Sequence, residues 1–180
     1  MEKINIRRPQ PTDTKELHEF FLLVITDTFE KEGLAGLHDD QKEEWELKKH
    51  YLQWDLDSQG EKRFFWIAVD EETKNIIGTI EYGVANELIQ KTIKDDLIEF
   101  PEIGTVFIHP HYQNRGLGSM LLQKIITTLE SKNMRGFCLD SGYKQAQTFW
   151  QKKLGKPNFL LEHYWSENSH HMIWKRNFPL

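Results

Sequence analysis

The middle of the chain combines three patterns that restrict the fold more than any other part of the sequence. Residues Glu102 to Ile108 are rich in β-branched and aromatic side chains and end at His109-Pro110, which predicts a strand with a proline at its exit. Gly116 and Gly118 follow, and the leucines and isoleucines from Leu117 to Lys132 recur at helical spacing. These patterns predict a strand, a loop and a helix, the unit where α/β sheets usually bind ligands.

Hydrophobic periodicity predicts further strands and helices on both sides of this unit. They are a strand at 4–8, a helix that Asp13 and Glu16 begin as a capping box, a helix at 39–56, a hairpin of strands at 63–69 and 76–84, a helix within 85–100, a strand at 137–141, a helix at 145–154 and two strands between 159 and 176. This order predicts a mixed α/β sheet with helices on both faces.

Composition narrows the class of protein. The 180 residues fit one domain, which we expect to span residues 1–180, and the net charge of -5 argues against a nucleic-acid-binding protein. No apolar run reaches the roughly 18 residues that span a membrane, and the N-terminus has no apolar signal segment, so we expect a cytoplasmic protein without a membrane partner. The single cysteine, Cys138, lies in an apolar run and is expected to be a buried hydrophobic residue.

The loop before the predicted central helix has features that suit a pyrophosphate. A helix N-terminus offers free N–H groups and the positive end of the helix dipole. Gly116 and Gly118 allow a bulky anion to approach the backbone, and Arg115 adds a permanent positive charge. The chain has neither the Gly-Lys-Ser/Thr of a P-loop nor the third glycine of a dinucleotide fingerprint. A plain glycine-rich turn is the alternative interpretation of these residues.

The pattern Gln113-x-x-Gly116-x-Gly118 resembles the signature of the GNAT N-acetyltransferase superfamily, as do the strand before it and the helix after it. The resemblance implies a mostly antiparallel central sheet of about seven strands. It also implies direct transfer of an acetyl group from acetyl-CoA, as cosubstrate, to an amine of a small molecule or peptide, without a metal. The residues implied for binding of CoA are Phe107 and Ile108 for the pantetheine arm, and Gln113, Asn114, Arg115, Gly116, Leu117, Gly118 and Ser119 for the pyrophosphate.

Transfer to an amine needs a base, because an ammonium must lose a proton before it attacks a thioester. Glu102 lies fourteen positions before Gly116, which resembles the spacing of the base in the histone-acetyltransferase branch of the superfamily. Glu81 is the second candidate base. The family often has a tyrosine as general acid where this chain has Trp150, so Tyr143 is the candidate acid, with water as the alternative.

Other questions stay open at the level of sequence. Because the tyrosine is missing, a non-catalytic acetyl-CoA-binding regulatory module is an alternative function. An unrelated nucleotide-binding α/β domain is a third interpretation. The histidine pairs His109-x-His111 and His170-His171 lack further ligands at metal-site spacing, so no metal is expected. The sequence does not identify the amine acceptor, does not exclude another acyl-CoA as donor, and leaves a homodimer open.

Overall fold

The computed structural model of the protein describes residues 3–94 and 99–179. Within these ranges, helices and strands alternate in an order close to the predicted one. The strands are β1 (Ile4–Arg7), β2 (Arg63–Asp70), β3 (Ile76–Gly83), β4 (Glu102–Ile108), β5 (Gly136–Ser141), β6 (Phe159–Ser166) and β7 (Ser169–Asn177). The helices are α1 (Thr14–Lys31), α2 (His38–Ser58), α3 (Glu87–Ile93), α4 (Leu117–Ser131) and α5 (Lys144–Leu154), with short 3-10 turns at Pro11–Asp13 and Pro110–Tyr112.

In the described residues the seven strands form one mixed sheet in the order β1-β2-β3-β4-β5-β7-β6. The pairs β1–β2, β2–β3, β5–β7 and β6–β7 are antiparallel. β4 and β5 are parallel, with Glu102 opposite Cys138. This open α/β sheet confirms the expected fold class.

The predicted elements agree with the structure except in detail. β4 has the predicted bounds, and α4 ends at Ser131, two residues before Asn133, whose positive φ of 58° marks the stop. The helix predicted within 85–100 is shorter: α3 ends at Ile93, and Lys94 adopts a left-handed conformation with φ 58°. The rest of that prediction includes residues 95–98, which lie outside the described residues.

The predicted capping box at the start of α1 is wrong. Asp13 occupies the N-cap position, but its side chain caps no helical N–H. Its carboxylate instead forms a two-point ion pair with the guanidinium of Arg7, at 2.7 and 2.9 Å. Glu16 accepts a hydrogen bond from the backbone N–H of Ile76 at 2.6 Å. Asp13 therefore binds a residue of β1 outside the helix, and Glu16 binds a partner that is distant in sequence, which the local capping pattern could not indicate.

The chain divides into two compact units. The first unit contains Met1–Gly83 and Gly104–Thr128. Its core includes Leu17, Phe21 and Ile25 on one side of α1, and the ring of Phe21 lies 6.2 Å from that of Phe65 on β2. Side chains of α4 come so close to β3 at Gly78 that a Cβ there would lie 3.0 Å from Leu121 Cδ1. This close approach fixes the start of α4 against the sheet.

The second unit contains Val84–Ile103 and Leu129–Leu180. A buried cluster in this unit consists of Ala85, Ile89, Ile93, Cys138 and Ile173. Cys138 is fully buried, as expected, and burial raises the pKa of its thiol to about 12. The thiol therefore packs as a small hydrophobic group. The expectation of a single domain over residues 1–180 stays a prediction.

Candidate functional site

The loop between β4 and α4 has an unusual backbone conformation. After β4, the N–H of His109 donates to the carbonyl of Ile77 at 2.9 Å, which holds the start of the loop against β3. Asn114 and Gly116 then adopt positive φ angles of 61° and 89°. Asparagine and glycine tolerate this left-handed region better than other residues, so these residue types at these two positions allow the chain to turn sharply into the helix.

The first turn of α4 presents free N–H groups. The N–H groups of Ser119 and Met120 both donate to the carbonyl of Gly116, at 3.0 and 3.1 Å. Among the residues that the structure describes, no protein acceptor pairs with the N–H groups of Gly116, Leu117 or Gly118. Three unpaired donors at the N-terminus of a 15-residue helix form an anion-binding arrangement.

The space beside this helix end is open. A Cβ built at Gly116 would meet no atom within 4 Å. Arg115 is exposed, and its guanidinium carbon lies 5.5 Å from the centre of the Tyr112 ring. The open space, the free donors and the nearby cation all fit a bulky anion such as the pyrophosphate of CoA.

Gln113 makes contacts that the signature pattern does not predict. Its amide nitrogen donates to the carbonyl of Ile108 at 3.2 Å and to Asp27 Oδ2 at 3.4 Å. Its amide oxygen accepts a hydrogen bond from Lys31 Nζ at 2.9 Å. The Gln113 side chain therefore connects the loop to the end of β4 and to α1. A direct contact of this residue with a cofactor stays a prediction.

Phe107 and Ile108 lie at the end of β4, as predicted for the pantetheine-binding strand. Both residues are half-buried. The Phe107 ring packs edge-on against Phe21, with 6.0 Å between ring centres. The Ile108 carbonyl already accepts one hydrogen bond from Gln113, and a carbonyl oxygen can accept a second. Their pairing with a pantetheine arm stays a prediction.

β4 has a local irregularity at Thr105. This residue is 4% exposed and has a φ of 47°, a conformation that is rare for β-branched residues and costs on the order of 1–3 kcal/mol. Its carbonyl accepts a hydrogen bond from Thr79 Oγ1 at 2.8 Å, and its own hydroxyl donates to Glu81 at 3.1 Å. These bonds help to hold the strand in its strained shape.

Glu81, the second candidate base, is 1% exposed and lies in a buried ion pair. Its Oε2 accepts a hydrogen bond from Arg63 Nη1 at 2.8 Å, and its Oε1 accepts from Thr105. The guanidinium of Arg63 also stacks on the ring of Tyr51, 3.6 Å from its centre. Both oxygens of Glu81 are therefore committed to internal partners.

Glu102, the first candidate base, lies at the start of β4 and is half-buried. Its two oxygens accept hydrogen bonds from Asn86, one from the backbone N–H at 2.7 Å and one from the side-chain amide at 3.2 Å. Asn86 is also the N-cap of α3, where its side-chain oxygen accepts from the N–H of Ile89. Glu102 therefore holds the residue that begins α3, a role that the sequence did not indicate.

A polar network extends from Asn86 to residues that the sequence analysis missed. Asn86 donates a second hydrogen bond from its side chain to Asp140 Oδ2 at 2.9 Å. The same oxygen lies 3.0 Å from His171 Nε2, which is ion-pair distance, although the ring is not oriented for a hydrogen bond. The indole N–H of Trp165 donates to His171 Nδ1 at 3.1 Å. The antiparallel pairing of β5 with β7 brings Asp140 and His171 together, and no local motif indicates it.

Gly142 makes the contact between Trp165 and His171 sterically feasible. A Cβ at this position would lie 2.5 Å from the indole nitrogen of Trp165 and 3.2 Å from His171 Nδ1. Close packing, rather than its backbone angles, therefore favours glycine at this position.

Tyr143, the candidate acid, is half-buried at the N-cap position of α5. Its backbone N–H donates to Ser141 Oγ at 3.3 Å, and its carbonyl accepts from the N–H of Gln147 at 2.9 Å. Trp150, which replaces the usual tyrosine, is 5% exposed and packs edge-on against Phe149, so it is a core residue. A role of Tyr143 as acid stays a prediction.

The described residues contain neither a group of side chains that could bind a metal nor a helix that could span a membrane. In residues 3–94 and 99–179, no three histidine, cysteine, aspartate or glutamate side chains come together in a way that could hold a metal ion. No helix in the same ranges combines the length and the apolar character that a membrane span requires.

The fold is shared with solved acetyltransferase structures of low sequence identity. A GNAT acetyltransferase from Streptococcus pneumoniae is 18% identical with a TM-score of 0.68, and the match covers 98% of this chain and 100% of that one. The PaiA N-acetyltransferase of Thermoplasma acidophilum, solved with coenzyme A, is 16% identical with a TM-score of 0.66, over 97% and 99% of the two chains. A Salmonella typhimurium protein solved with its cofactor acetyl-CoA is 14% identical with a TM-score of 0.71, over 99% and 95%.

The sequence itself also matches a family. No curated protein matches the chain. The model of the acetyltransferase (GNAT) family, however, matches residues 26–156, which include β4, the loop and α4. The signature pattern, the fold and this match agree, and the chain therefore belongs to the GNAT acetyltransferase family.

Proposed function

We propose that this protein transfers an acetyl group from acetyl-CoA to an amine of a small molecule or peptide by direct attack of the amine on the thioester. The observation that carries the proposal is the set of unpaired N–H groups of Gly116, Leu117 and Gly118 beside open space, in the signature loop of the family. The related proteins of Thermoplasma acidophilum and Salmonella typhimurium were solved with coenzyme A and acetyl-CoA, which supports the same ligand here.

The loop would hold the cosubstrate through its pyrophosphate. The free N–H groups and the helix dipole favour a polyanion at this position, and the exposed Arg115 adds positive charge beside them. Acetyl-CoA, when bound, supplies a thioester that an amine can attack without a covalent enzyme intermediate. The protein's own task is therefore to bind and orient the two substrates and to move protons.

Three proton transfers are required. The acceptor reaches the enzyme as an ammonium, so a base must remove a proton before the nitrogen attacks the carbonyl carbon. In the proposed reaction Glu102 accepts this proton, directly or through water. After the attack the nitrogen loses a second proton to water, the carbon–sulfur bond breaks, and the thiolate takes a proton from Tyr143 or from water.

Thermal stability tests the cosubstrate assignment. A ligand that binds only the folded state stabilises it, so coenzyme A and acetyl-CoA should raise the melting temperature of the protein. ATP and NAD, at the same concentrations, should raise it much less because they lack the pantetheine arm that β4 would bind. An unchanged melting temperature at millimolar coenzyme A would exclude the assignment.

The loop itself is tested by Gly118→Val, which adds a branched side chain beside free N–H groups. The variant should weaken binding of coenzyme A by about tenfold or more, which corresponds to about 1.4 kcal/mol. Calorimetric titration measures this change, and the melting temperature of the unliganded variant checks that the fold is intact. Unchanged affinity in a folded variant would show that the pyrophosphate binds elsewhere.

A non-catalytic acetyl-CoA-binding module is the second candidate function. The observation that favours it is Trp150, a buried indole where the family often has a tyrosine. Release of free coenzyme A from acetyl-CoA, measured over a panel of amines, separates the two functions. An acetyltransferase releases coenzyme A faster with at least one amine, whereas a binding module responds to acetyl-CoA in the melting assay and releases none.

A further inference from the structure

We propose that Asp27 and Lys31 of α1 are positioning residues for the loop before α4, and that they act through the side chain of Gln113. This inference rests on the proposed function, because the loop is assigned there to the pyrophosphate of acetyl-CoA. It assigns a role in binding of the cosubstrate to two residues that lie outside the signature pattern.

The side chains of Asp27, Lys31 and Gln113 all contact one another, and all three lie in the first compact unit. Lys31 Nζ lies 2.6 Å from Asp27 Oδ2 and 2.9 Å from Gln113 Oε1. Gln113 Nε2 lies 3.4 Å from the same carboxylate oxygen of Asp27 and 3.2 Å from the carbonyl of Ile108. Each end of the Gln113 amide is therefore bound, the oxygen by a cation and the nitrogen by two acceptors.

The surroundings of this set make it more than a surface ion pair. The side chains of Asp27 and Lys31 are 20% and 35% exposed, and they lie one helical turn apart at i and i+4. An exposed pair of this kind contributes roughly 0–1 kcal/mol because water competes for both charges. Here both charged groups also make a hydrogen bond to a neutral amide, and that amide belongs to the loop.

The position of Gln113 explains how the contacts reach the ligand. Gln113 directly precedes Asn114, which has a positive φ, as does Gly116. These two residues turn the chain toward the N-terminus of α4, where the free N–H groups lie. Fixing the Gln113 side chain fixes the first peptide of this turn. A loop that already has the bound conformation loses less entropy when a ligand binds, and so binds it more tightly.

A direct role of Lys31 is the competing explanation. An ammonium near the loop could bind a phosphate oxygen itself, with Gln113 as a bystander. The two explanations differ in the sign of the effect of Asp27. If only charge matters, Asp27→Asn removes a repulsive carboxylate and tightens binding of the polyanionic coenzyme A. If the three side chains position the loop, the same change weakens binding.

The experiment is a calorimetric titration of the full chain with coenzyme A. Asp27→Asn, Lys31→Met and Gln113→Leu should each raise the dissociation constant by about 3- to 10-fold, the effect of losing one or two partly exposed hydrogen bonds. Lys31→Arg, which keeps the charge and the donors, should restore most of the affinity. The double variant Lys31→Met with Gln113→Leu should bind no more weakly than the weaker single variant, because both changes break the same connection.

The matched control is Lys15→Met. Lys15 also pairs with a carboxylate at i+4 on α1, Glu19, at 3.9 Å, but the two side chains are 90% and 69% exposed. This variant changes the net charge as Lys31→Met does, and its affinity for coenzyme A should be unchanged. Melting temperatures of all unliganded variants should stay close to that of the wild type.

The outcomes separate this inference from the proposed function. Tighter or unchanged binding by Asp27→Asn, or additive losses in the double variant, would overturn the positioning role while the wild type still binds coenzyme A. A wild-type protein that does not bind coenzyme A at all would overturn the proposed function, and this inference with it.

Discussion

Glu81 and Glu102 are the same residue type in strands that follow each other along the chain, but their surroundings differ. Glu81 is 1% exposed, and its carboxylate is bound by the guanidinium of Arg63 at 2.8 Å and by the hydroxyl of Thr105. Glu102 is half-buried, and both of its carboxylate oxygens accept hydrogen bonds from neutral N–H groups of Asn86. Glu81 is therefore bound by a buried cation, whereas Asn86, which binds Glu102, is neutral.

This difference decides which glutamate can change its charge at low cost. Glu81 forms a buried ion pair with Arg63, and breaking such a pair typically costs about 3–5 kcal/mol. The hydrogen bonds that Glu102 accepts from Asn86 are worth less, since a hydrogen bond to a charged group typically contributes about 1.5–3 kcal/mol. A general base must take up a proton in each turnover, so the comparison favours Glu102 for that role and a structural role for Glu81.

The largest expected effect is that of Glu102→Gln on turnover. Removal of a general base typically lowers the rate by about 100- to 10,000-fold. The loss should appear in kcat with an amine acceptor, with little change in the affinity for coenzyme A. It should become smaller at high pH, where the amine is already deprotonated and needs no base.

Asn86→Ala is the control for this prediction. Glutamine at position 102 can accept at only one atom, so Glu102→Gln also loses one of the two hydrogen bonds from Asn86. Asn86→Ala removes the side-chain bond to the same carboxylate but keeps its basicity. If Asn86→Ala lowers kcat as strongly as Glu102→Gln does, the loss is structural. A near-normal kcat of Glu102→Gln at neutral pH would exclude Glu102 as the base.

The second effect concerns the stability of the Glu81 pair. Arg63→Met should lower the free energy of unfolding by about 3–5 kcal/mol, because it leaves the Glu81 carboxylate buried without a cation. Denaturant unfolding at neutral pH measures the change. The double variant Arg63→Met with Glu81→Met should recover much of the lost stability, since two apolar side chains carry no uncompensated charge. A loss below about 1 kcal/mol for Arg63→Met would contradict the comparison, because that is the value of an exposed pair.

The fold was largely predictable from the sequence because its signals are local. The β-branched and aromatic residues of β4 and the helical pattern of α4 are both properties of neighbouring residues, and the predicted bounds agree within one residue. Asp13 shows the limit of such signals. It satisfies the local pattern of a helix cap, but the guanidinium of Arg7, brought close by the fold, is the stronger partner for its carboxylate.

The candidate site was predictable only in part, for the same reason. The glycines and the free helix N-terminus are properties of one continuous segment, and the structure has both features at the predicted positions. The ion pair of Glu81 with Arg63 depends on the register of β2 and β3, and the contact of Asp140 with His171 depends on that of β5 and β7. Register is a property of the assembled sheet, so the sequence could suggest Glu81 as a base but could not show its partner.

The smallest expected effect uses a third carboxylate, Asp55, to test what burial alone does. Asp55 is 0% exposed and pairs with Arg8, whose side chain is 29% exposed. Burial, the largest influence, raises the pKa of Asp55 to about 6 in spite of this cation. The folded state therefore holds a proton on Asp55 at pH values where the unfolded chain, with a pKa near 3.8, has lost it. The resulting stabilisation is complete below about pH 4 and is lost as the pH rises through about 6.

The free energy of unfolding of the wild type, relative to that of Asp55→Asn, should fall by about 1–3 kcal/mol between pH 4 and pH 7. Denaturant unfolding at several pH values measures this difference. Asp57→Asn, an exposed change on the same helix, is the matched control for the substitution itself. If the stability of the wild type relative to Asp55→Asn instead rises with pH, the Arg8 cation outweighs burial at Asp55.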